Sequence, residues 1–309
     1  MKIVISEFMD ETALEAFGAG DRVQYAPGIV GDRPALLDAV ADADALIVRN
    51  RTQVNKELLE AAPGLRVVGR LGVGLDNIDL DACKGRGIAV CPATGANTLS
   101  VAEYVISVTL TLLRGAYASN AAMIAGDWPR NALIGGEACG KCMGLWGYGG
   151  IARAVAERAR ALGMSIAAMD PYLPAGDPVW QGIERCETAA DLLARADVLS
   201  LHVPLTDETR NMIDADAIAQ MRPRAILVNT ARGGIVEESA LVSALNSGQL
   251  GGAALDVFAI EPLTAEAGKL FEGAPNLILT PHIAGVTNEG NVRVSSVTVE
   301  NVKRELANA

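Results

Sequence analysis

The chain alternates short β-branched apolar runs with helical patterns over most of its 309 residues. This alternation indicates parallel sheets covered by helices, because a crossover between parallel strands is long enough to hold a helix. Predicted strands of a first series lie at 2–6, 44–49, 65–70 and 87–92, and those of a second at 143–147, 165–170, 197–202, 224–229, 252–258 and 276–281. Predicted helices between them lie at 33–42, 55–63, 150–162, 188–195, 214–221 and 237–247. The sequence therefore predicts an α/β fold with two doubly wound parallel sheets.

A helical pattern at 97–116 separates the two series and is apolar on almost every side. Such a helix must be buried on several faces, so we expect it either to thread between two domains or to pack against another subunit. Ser100 and Glu103 have the spacing of a capping box and predict where this helix begins. A last amphipathic helix is predicted at 288–309.

Composition excludes several classes of partner. Mean hydropathy is +0.25, yet no run of about 18 uninterrupted apolar residues occurs, so we expect no membrane span. The N-terminal segment "MKIVISEFMDE" lacks the long apolar core of a signal peptide, which favours a cytoplasmic protein. A net charge of −11 argues against nucleic acid and anionic membranes. It leaves open a small anionic ligand held by a few local arginines.

Five cysteines, an odd number, give no disulfide framework. Cys139 and Cys142 form a single C-x-x-C, but a redox or metal role would need a second pair or a thioredoxin-like setting. Neither is visible in the sequence. We therefore predict no metal site and interpret the two thiols as small buried or loop residues.

The segment "MGLWGYGGIARAVAERARALG" carries a dinucleotide signature between a predicted strand and a predicted helix. Gly147 permits the tight turn, Gly149 lets the backbone approach a pyrophosphate, and Ala152 is small enough for helix–strand packing. Asp170 ends the next strand, where a carboxylate accepts hydrogen bonds from a ribose diol and repels a 2′-phosphate. No arginine occurs in the "PYLPAG" that follows it. The pattern predicts an NAD site in a Rossmann domain.

Three ionisable residues follow strands of the second series. Arg232, Glu261 and His282 should meet, because ligands of doubly wound sheets bind outside the carboxyl ends of the strands. An imidazole can move a hydroxyl proton, and a neighbouring carboxylate orients its ring. A guanidinium can donate two hydrogen bonds to one carboxylate, and the guanidinium stays positively charged. The three residue types predict hydride-transfer chemistry between an alcohol and a ketone. His202, the other histidine, is interpreted as a capping or cofactor-lining residue.

These segments together resemble the D-isomer-specific 2-hydroxyacid dehydrogenase family over nearly the whole chain. The resemblance is carried by an ordered set of motifs, namely "GRLGVGLDNID" (69–79), "GANTLSVAEYV" (95–105), "GLWGYGGIARAVAERARALGM" (144–164), "LHVPLTDETRNMI" (201–213), "LVNTARGGIVEESAL" (227–241), "ALDVFAIEPL" (254–263) and "PHIAG" (281–285). It implies that Arg232 binds the substrate carboxylate and carbonyl, that Glu261 partners His282, and that His282 is the acid/base.

The same resemblance implies the binding sites. The backbone of Val73 and Gly74 would bind the substrate carboxylate, and Asp256 would hold the nicotinamide carboxamide. Residues implied to line the NAD site are Gly147, Tyr148, Gly149, Gly150, Ile151, Asp170, His202, Val203, Pro204, Thr209, Thr230, Ala231, Arg232, Asp256, His282 and Gly285. The glycine loop departs from the family by carrying aromatic Trp146 and Tyr148, which could alter the adenosine site.

The resemblance also implies domain organisation. A discontinuous, flavodoxin-like substrate domain would comprise 1–98 and 286–309, and a Rossmann domain with the dimerisation segment would comprise 99–285. Hinges would lie near 97–100 and 284–288, and the assembly would be a homodimer.

The segment "IVRNRTQVN" (47–55) departs from the small residues common in the family. Asn50 and Arg51 replace those small residues and add bulk and a second cation next to Arg49, which suits a second anionic group on the substrate, such as phosphate or sulfonate. Alternatively, Arg51 is a solvated surface charge. With the N-terminal "IVISEFMDE", this arginine pair also resembles the (S)-sulfolactate dehydrogenase branch.

We therefore expect an NAD-dependent, phosphoglycerate dehydrogenase-like oxidoreductase that acts on a small anionic 2-hydroxy or 2-keto acid of the (S)-sulfolactate or 3-phosphoglycerate type. Two alternatives remain open from the sequence: a hydroxypyruvate or glyoxylate reductase, and a non-catalytic NADH-sensing protein of the same fold.

Overall fold

The structure is a computed structural model that describes residues 1–308. The strands are β1 (Lys2–Ile5), β2 (Arg22–Tyr25), β3 (Ala45–Val48), β4 (Val67–Arg70), β5 (Ala89–Pro92), β6 (Cys142–Trp146), β7 (Ser165–Met169), β8 (Glu184–Arg185), β9 (Val198–Leu201), β10 (Ala225–Asn229), β11 (Leu250–Leu255) and β12 (Leu277–Leu279). The α-helices are α1 (Arg33–Val40), α2 (Lys56–Ala61), α3 (Leu80–Gly85), α4 (Thr98–Arg114), α5 (Asn120–Ile124), α6 (Gly150–Ala161), α7 (Ala189–Arg195), α8 (Ala215–Gln220), α9 (Glu238–Ser247), α10 (Ala265–Gly268) and α11 (Asn288–Asn308).

The chain divides into two compact units. The first unit joins Met1–Asn97 to the described residues from Val286 onward, and the second unit is Thr98–Gly285. Both are built on a parallel sheet, so the predicted fold class is confirmed.

In the first unit the strand order is β2-β1-β3-β4-β5, which is the flavodoxin-type order. Alternate side chains of the inner strands enter two apolar clusters, one on each face of the sheet. Helix α11 covers one face so closely that a Cβ at Gly69 would lie 2.5 Å from a methyl of Val302. Helices α1, α2 and α3 begin at the side chains of Asp32, Asn55 and Asp79, which each accept a backbone N–H.

In the second unit the order is β12-β11-β10-β9-β6-β7-β8, the doubly wound dinucleotide-binding order with one additional strand at the β12 edge. The carboxyl ends of the seven parallel strands therefore lie along one edge. Helices α6, α7, α8 and α9 begin and end within a residue or two of their predicted positions.

Strands β2 and β8 and the short helices α3, α5 and α10 were not predicted from the sequence, β11 ends three residues before its predicted end, and one helix start differs from its prediction. Strands β2 and β8 lie at sheet edges and carry polar residues, so neither has the apolar run that marked the other strands. The capping box predicted at Ser100 and Glu103 is wrong. Helix α4 already begins at Thr98, and Ser100 is buried inside its first turn. One face of α4 packs on α6, β10 and β11 of its own unit.

Within residues 1–308, no helix combines the length and the apolar character that a bilayer crossing requires. Over the same residues, no group of three or more histidine, cysteine or acidic side chains is placed to hold a metal ion.

Candidate active site

The loop between β6 and α6 is shaped by its glycines. Gly147 has φ +86°, and a Cβ there would lie 2.6 Å from the carbonyl oxygen of His202, so no other residue fits. Gly149 is the N-cap of α6 and contributes no side-chain cap. Among residues 1–308, nothing lies within 4 Å of a Cβ built at Gly149 or Gly150. The first-turn amides of α6 are thus open to an anionic group, which a helix N-terminus attracts.

Asp170 follows β7 beside this loop. One carboxylate oxygen accepts the N–H of Tyr148 at 2.9 Å, and the other accepts that of Tyr172 at 3.0 Å. Each oxygen keeps a further acceptor site, which suits a pair of ribose hydroxyls. The ring of Tyr148 turns away and stacks on Trp180 with centroids 5.2 Å apart. In the glycine loop, the backbone of Tyr148 therefore faces Asp170, whereas its aromatic ring packs away from it.

The segment after β9 is held by its own polar groups. The N–H of His202 donates to the carbonyl of Trp146 at 2.7 Å, and its Nε2 lies 3.0 Å from the Ser200 hydroxyl. Burial lowers the pKa of His202 to about 4, so its ring is neutral at neutral pH. Thr209 closes the next turn by donating to the carbonyl of Pro204 at 2.7 Å. Val203 lies between them and is partly buried.

The loop after β10 carries Arg232 and is fixed by Asn229, which is almost fully buried. The Asn229 side chain accepts the N–H of Ala231 at 3.0 Å and donates to the carbonyl of Arg232 at 2.9 Å. The hydroxyl of Thr230 is buried and has no hydrogen-bond partner among residues 1–308. A buried hydroxyl left in this state is expected to bind a ligand's polar group.

The side chains of Glu261 and His282 are within hydrogen-bond distance of each other. The Nδ1 of His282 lies 2.7 Å from one Glu261 oxygen, and the other oxygen accepts the N–H of Phe258 at 2.9 Å. Burial alone would raise the pKa of Glu261, but these hydrogen bonds and the positive charge of Arg232 lower it overall. The carboxylate is therefore ionised at neutral pH, and the three predicted catalytic residues share one neighbourhood.

Asp256 anchors the loop that carries His282. Its buried carboxylate accepts the N–H groups of Ile283 and Ala284, each at 2.8 Å, and the hydroxyl of Thr280 at 2.6 Å. His282 adopts φ +53°, a left-handed conformation that histidine tolerates better than most residues, and donates its N–H to the Asp256 carbonyl. Gly285 follows in the turn that ends the second unit.

A hydrogen-bond chain extends this anchor to α4. The Tyr104 hydroxyl lies 2.5 Å from that of Thr280, which donates to Asp256. Burial raises the pKa of the Tyr104 phenol. Sequence reasoning missed the structural parts played by Tyr104, Thr280 and Asn229. For Asn229 and Thr280 the available signal was a polar residue at or just after the end of an apolar strand, whereas Tyr104 lies within α4 and had no such signal.

The predicted substrate residues lie at the carboxyl edge of the first sheet. Arg49, Asn50 and Arg51 follow β3, whereas Val73 and Gly74 follow β4. Arg49 is half-buried: its guanidinium donates to the Asn291 side chain at 2.9 Å and lies over the ring of Phe8. Asn50 and Arg51 are exposed, as is Val73, and Gly74 is partly buried.

Comparison with known proteins identifies the family. Residues 106–284 match the NAD-binding domain of D-isomer-specific 2-hydroxyacid dehydrogenases. The chain is 55% identical over 304 residues to (S)-sulfolactate dehydrogenase of Chromohalobacter salexigens, covering 98% of each chain. It is 41% identical over 305 residues to D-3-phosphoglycerate dehydrogenase of Mycobacterium tuberculosis, covering 99% of this chain and 57% of that protein, so it spans little more than half of that relative.

A glyoxylate reductase from Paecilomyes thermophila has the same fold. Its crystal structure superposes with a TM-score of 0.86 at 31% identity, covering 99% of this chain and 95% of that one. The glycine loop, the carboxylate after β7 and the orphan hydroxyl of Thr230 fit NAD. From these matches and this site, the chain belongs to the D-isomer-specific 2-hydroxyacid dehydrogenase family and uses NAD.

Proposed function

We propose that the protein interconverts a small 2-hydroxy acid with a second anionic group and its 2-keto acid, a substrate of the (S)-sulfolactate or 3-phosphoglycerate type. The observation that carries the proposal is the 2.7 Å contact of His282 with an ionised Glu261 in the field of Arg232. The 55% identity to an (S)-sulfolactate dehydrogenase supports the substrate type.

Each catalytic residue has a part in the proton transfer. Because Nδ1 of His282 is bound to Glu261, its Nε2 is the atom that takes the hydroxyl proton in oxidation and returns it in reduction. Arg232 binds the carboxylate and polarises the carbonyl with a charge that it cannot lose. When bound, the nicotinamide accepts or supplies the hydride.

The second unit would hold NAD. The α6 amides and the glycine loop would receive the pyrophosphate, and Asp170 the adenosine ribose. Asp256 already accepts three hydrogen bonds, so its carboxylate keeps one acceptor site for the nicotinamide carboxamide. The Thr230 hydroxyl would find its missing partner on the cofactor. The segments after β9 and β12, which carry His202 and Gly285, would complete the lining.

The first unit would be the substrate domain. The backbone of Val73 and Gly74 would bind the substrate carboxylate, and the guanidinium groups of Arg49 and Arg51 would bind the second anionic group. Guanidinium pairs well with sulfonate and phosphate, since its donors match two oxygens at once. The side chain of Asn50 adds an amide donor to the same loop.

A set of 2-keto acids tests this function. Sulfopyruvate and 3-phosphohydroxypyruvate, compared with hydroxypyruvate and glyoxylate, should have kcat/KM values at least about tenfold higher with NADH, the ratio worth one charge-assisted hydrogen bond. His282→Ala should lower turnover at least about a hundredfold and leave NADH affinity little changed. Normal turnover in that variant would remove His282 from the mechanism, and no oxidation of NADH by any keto acid would favour an NADH-sensing protein.

A glyoxylate or hydroxypyruvate reductase is the second candidate, favoured by the structural similarity to a glyoxylate reductase. Arg51→Ala separates the two functions, with Arg22→Ala as the matched control because Arg22 is an exposed arginine at the opposite edge of the same sheet. For the first function, Arg51→Ala should raise the KM for sulfopyruvate more than that for glyoxylate. Equal changes in the two KM values would favour the second candidate and would mean that Arg51 is a solvated surface charge.

We further propose a homodimer that forms through the segment 115–137. Tyr117, Ile124, Trp128 and Ile134 all expose large apolar side chains there, which a monomer rarely does over one stretch. Light scattering after size-exclusion chromatography should give a dimer for the native protein and a monomer for the double variant Ile124→Ser, Ile134→Ser. Leu80→Ser, an exposed leucine of the first unit, should remain dimeric.

The proposed compartment is the cytoplasm. The five cysteines are free thiols, as suits a reducing compartment, and the cofactor is drawn from the cellular NAD pool. Immunoblotting of fractionated cells should find the protein with cytoplasmic markers.

A further inference from the structure

Glu7 is a buried carboxylate that the proposed mechanism does not use. It lies two residues after β1, at the carboxyl edge of the first sheet, and is 4% exposed. Its oxygens accept four consecutive backbone N–H groups, those of residues 49–52, at 2.8–3.3 Å. Successive amides that converge in this way form an anion-binding concavity. In this protein the bound anion is part of the chain.

The same loop is held from its other side by Asn77. This buried amide donates to the carbonyl of Thr52 at 2.7 Å and, at 3.4 Å, to that of Arg49. The Thr52 hydroxyl also lies 2.9 Å from that of Ser6. The four N–H groups of the loop and two of its carbonyls, those of Arg49 and Thr52, are therefore held. Since Asn77 belongs to the loop after β4, the two proposed substrate loops of the first unit are joined.

The charge on Glu7 is maintained in this setting. Burial alone would raise its pKa, but the backbone hydrogen bonds from the loop outweigh burial and lower it. The negative charge of Glu7 in turn opposes the desolvation that lowers the pKa of Arg49. The Arg49 guanidinium does not bind this carboxylate and instead reaches Asn291 and the Phe8 ring. The internal anion takes the amides and leaves the arginine side chains to other partners.

We propose that Glu7 is a positioning residue for substrate selection: it fills the amide concavity of residues 49–52, so that the second anionic group of the substrate must bind the guanidinium groups of Arg49 and Arg51. This inference rests on the proposed function. With the concavity filled, the loop cannot collect an anion through its backbone, and the backbone that carries its two arginines is held in one conformation. Selection then favours anions that accept two guanidinium donors.

Glu7→Gln removes the charge with almost no change in volume. Its matched control is Asp21→Asn, which makes the same change to a carboxylate that holds the N–H of Gly18 at 3.0 Å, at the amino edge of the same sheet. Glu7→Gln should raise the KM for sulfopyruvate about tenfold, the equivalent of one charge-assisted contact, and that for glyoxylate less than about threefold. The kcat for either substrate should stay within about twofold, since the reacting groups are untouched. Asp21→Asn should leave all four constants unchanged.

Two readouts distinguish positioning from a general structural effect. Amide hydrogen exchange at 49–52 should be at least about tenfold faster in Glu7→Gln than in the native protein, because these amides lose their acceptor. In Glu7→Ala the missing group has the size of acetate, so added acetate should refill the concavity and restore the KM for sulfopyruvate. The same acetate concentration should not improve the native enzyme.

The outcomes separate this inference from the proposed function. If the native protein reduces none of the keto acids, the proposed function fails, while the exchange measurement still tests the part played by Glu7. If the native enzyme is active but Glu7→Gln raises both KM values equally, or leaves the exchange at 49–52 unchanged, the inference is overturned. Should Glu7→Gln not fold, as judged by circular dichroism, Glu7→Asp takes its place, with the same split between substrates expected.

Discussion

Replacing Gly233 with alanine should disable the enzyme without unfolding it. A Cβ at this position would lie 1.7 Å from the carbonyl oxygen of Phe258, 2.2 Å from its carbonyl carbon and 2.9 Å from the nitrogen of Ala259. Carbon and oxygen atoms that do not bond approach to about 3.3 Å, so the two backbones must separate by roughly 1.5 Å. Every atom in the way belongs to the main chain, so no side chain can rotate to make room.

Both separating segments carry residues that we propose for catalysis. Gly233 directly follows Arg232, and the N–H of Phe258 holds the Glu261 carboxylate at 2.9 Å. A misplacement of about 1 Å costs on the order of a hundredfold in rate, so kcat/KM for the preferred keto acid should fall by at least that factor. The assay is the initial rate of NADH oxidation, followed by absorbance, with the fold checked by circular dichroism.

Gly268→Ala is the matched control. It lies in α10 with φ −62°, and a Cβ there meets nothing within 4 Å among residues 1–308. Its kcat/KM should stay within about twofold of the native value, because alanine suits a helix better than glycine does. A Gly233→Ala enzyme that kept more than a third of the native kcat/KM would refute the reasoning, since the loops could then separate without cost to catalysis.

Three further predictions concern the anchoring and binding carboxylates. Asp256→Asn should leave a buried donor unsatisfied, destabilise the protein by about 1–3 kcal/mol and lower the Tm by roughly 2–4 °C per kcal/mol, as calorimetry can measure. Asp170→Ala should raise the KM for NADH about tenfold. It should also lower the ratio of kcat/KM for NADH to that for NADPH, because a carboxylate at this place repels a 2′-phosphate. The pKa of Glu7 is lowered from its ordinary 4.5, so its stabilisation is complete above about that pH and is lost as the pH falls through the lower folded value. The difference in Tm between the native protein and Glu7→Gln should therefore be largest near neutral pH and shrink on acidification; a constant difference would contradict it.

Most strands that could be predicted from sequence are inner strands buried on both faces, although the edge strands β5 and β12 were also predicted because they keep an apolar run. An inner strand such as β10 reads as an unbroken apolar run, since helices cover both sides of a parallel sheet. The edge strands β2 and β8 pair on one side only and keep polar residues, so the same rule misses them. The Ser100–Glu103 spacing was misread because a serine three residues before a glutamate also fits inside a helix, where only the backbone conformation decides the start.

The nearness of Glu261 and His282 was predictable, because both follow strands whose carboxyl ends share one edge. The hydrogen bonds from the N–H groups of residues 49–52 to the Glu7 carboxylate were not predictable. They join positions more than forty residues apart, and no periodicity records which carboxylate a loop will close on. The stacking of Tyr148 on Trp180 was not predictable for the same reason, although the sequence does show an unusual aromatic residue in the glycine loop.

The hydrogen-bond chain from Tyr104 through Thr280 to Asp256 has a consequence for how the loop of His282 is held. Tyr104 lies near the residue at which the polypeptide comes into the second unit, and Asp256 clamps the loop just before the polypeptide leaves it. These hydrogen bonds lie wholly inside the second unit and hold the loop that carries the imidazole. The position of His282 against Glu261 is therefore set by contacts that lie within the second unit.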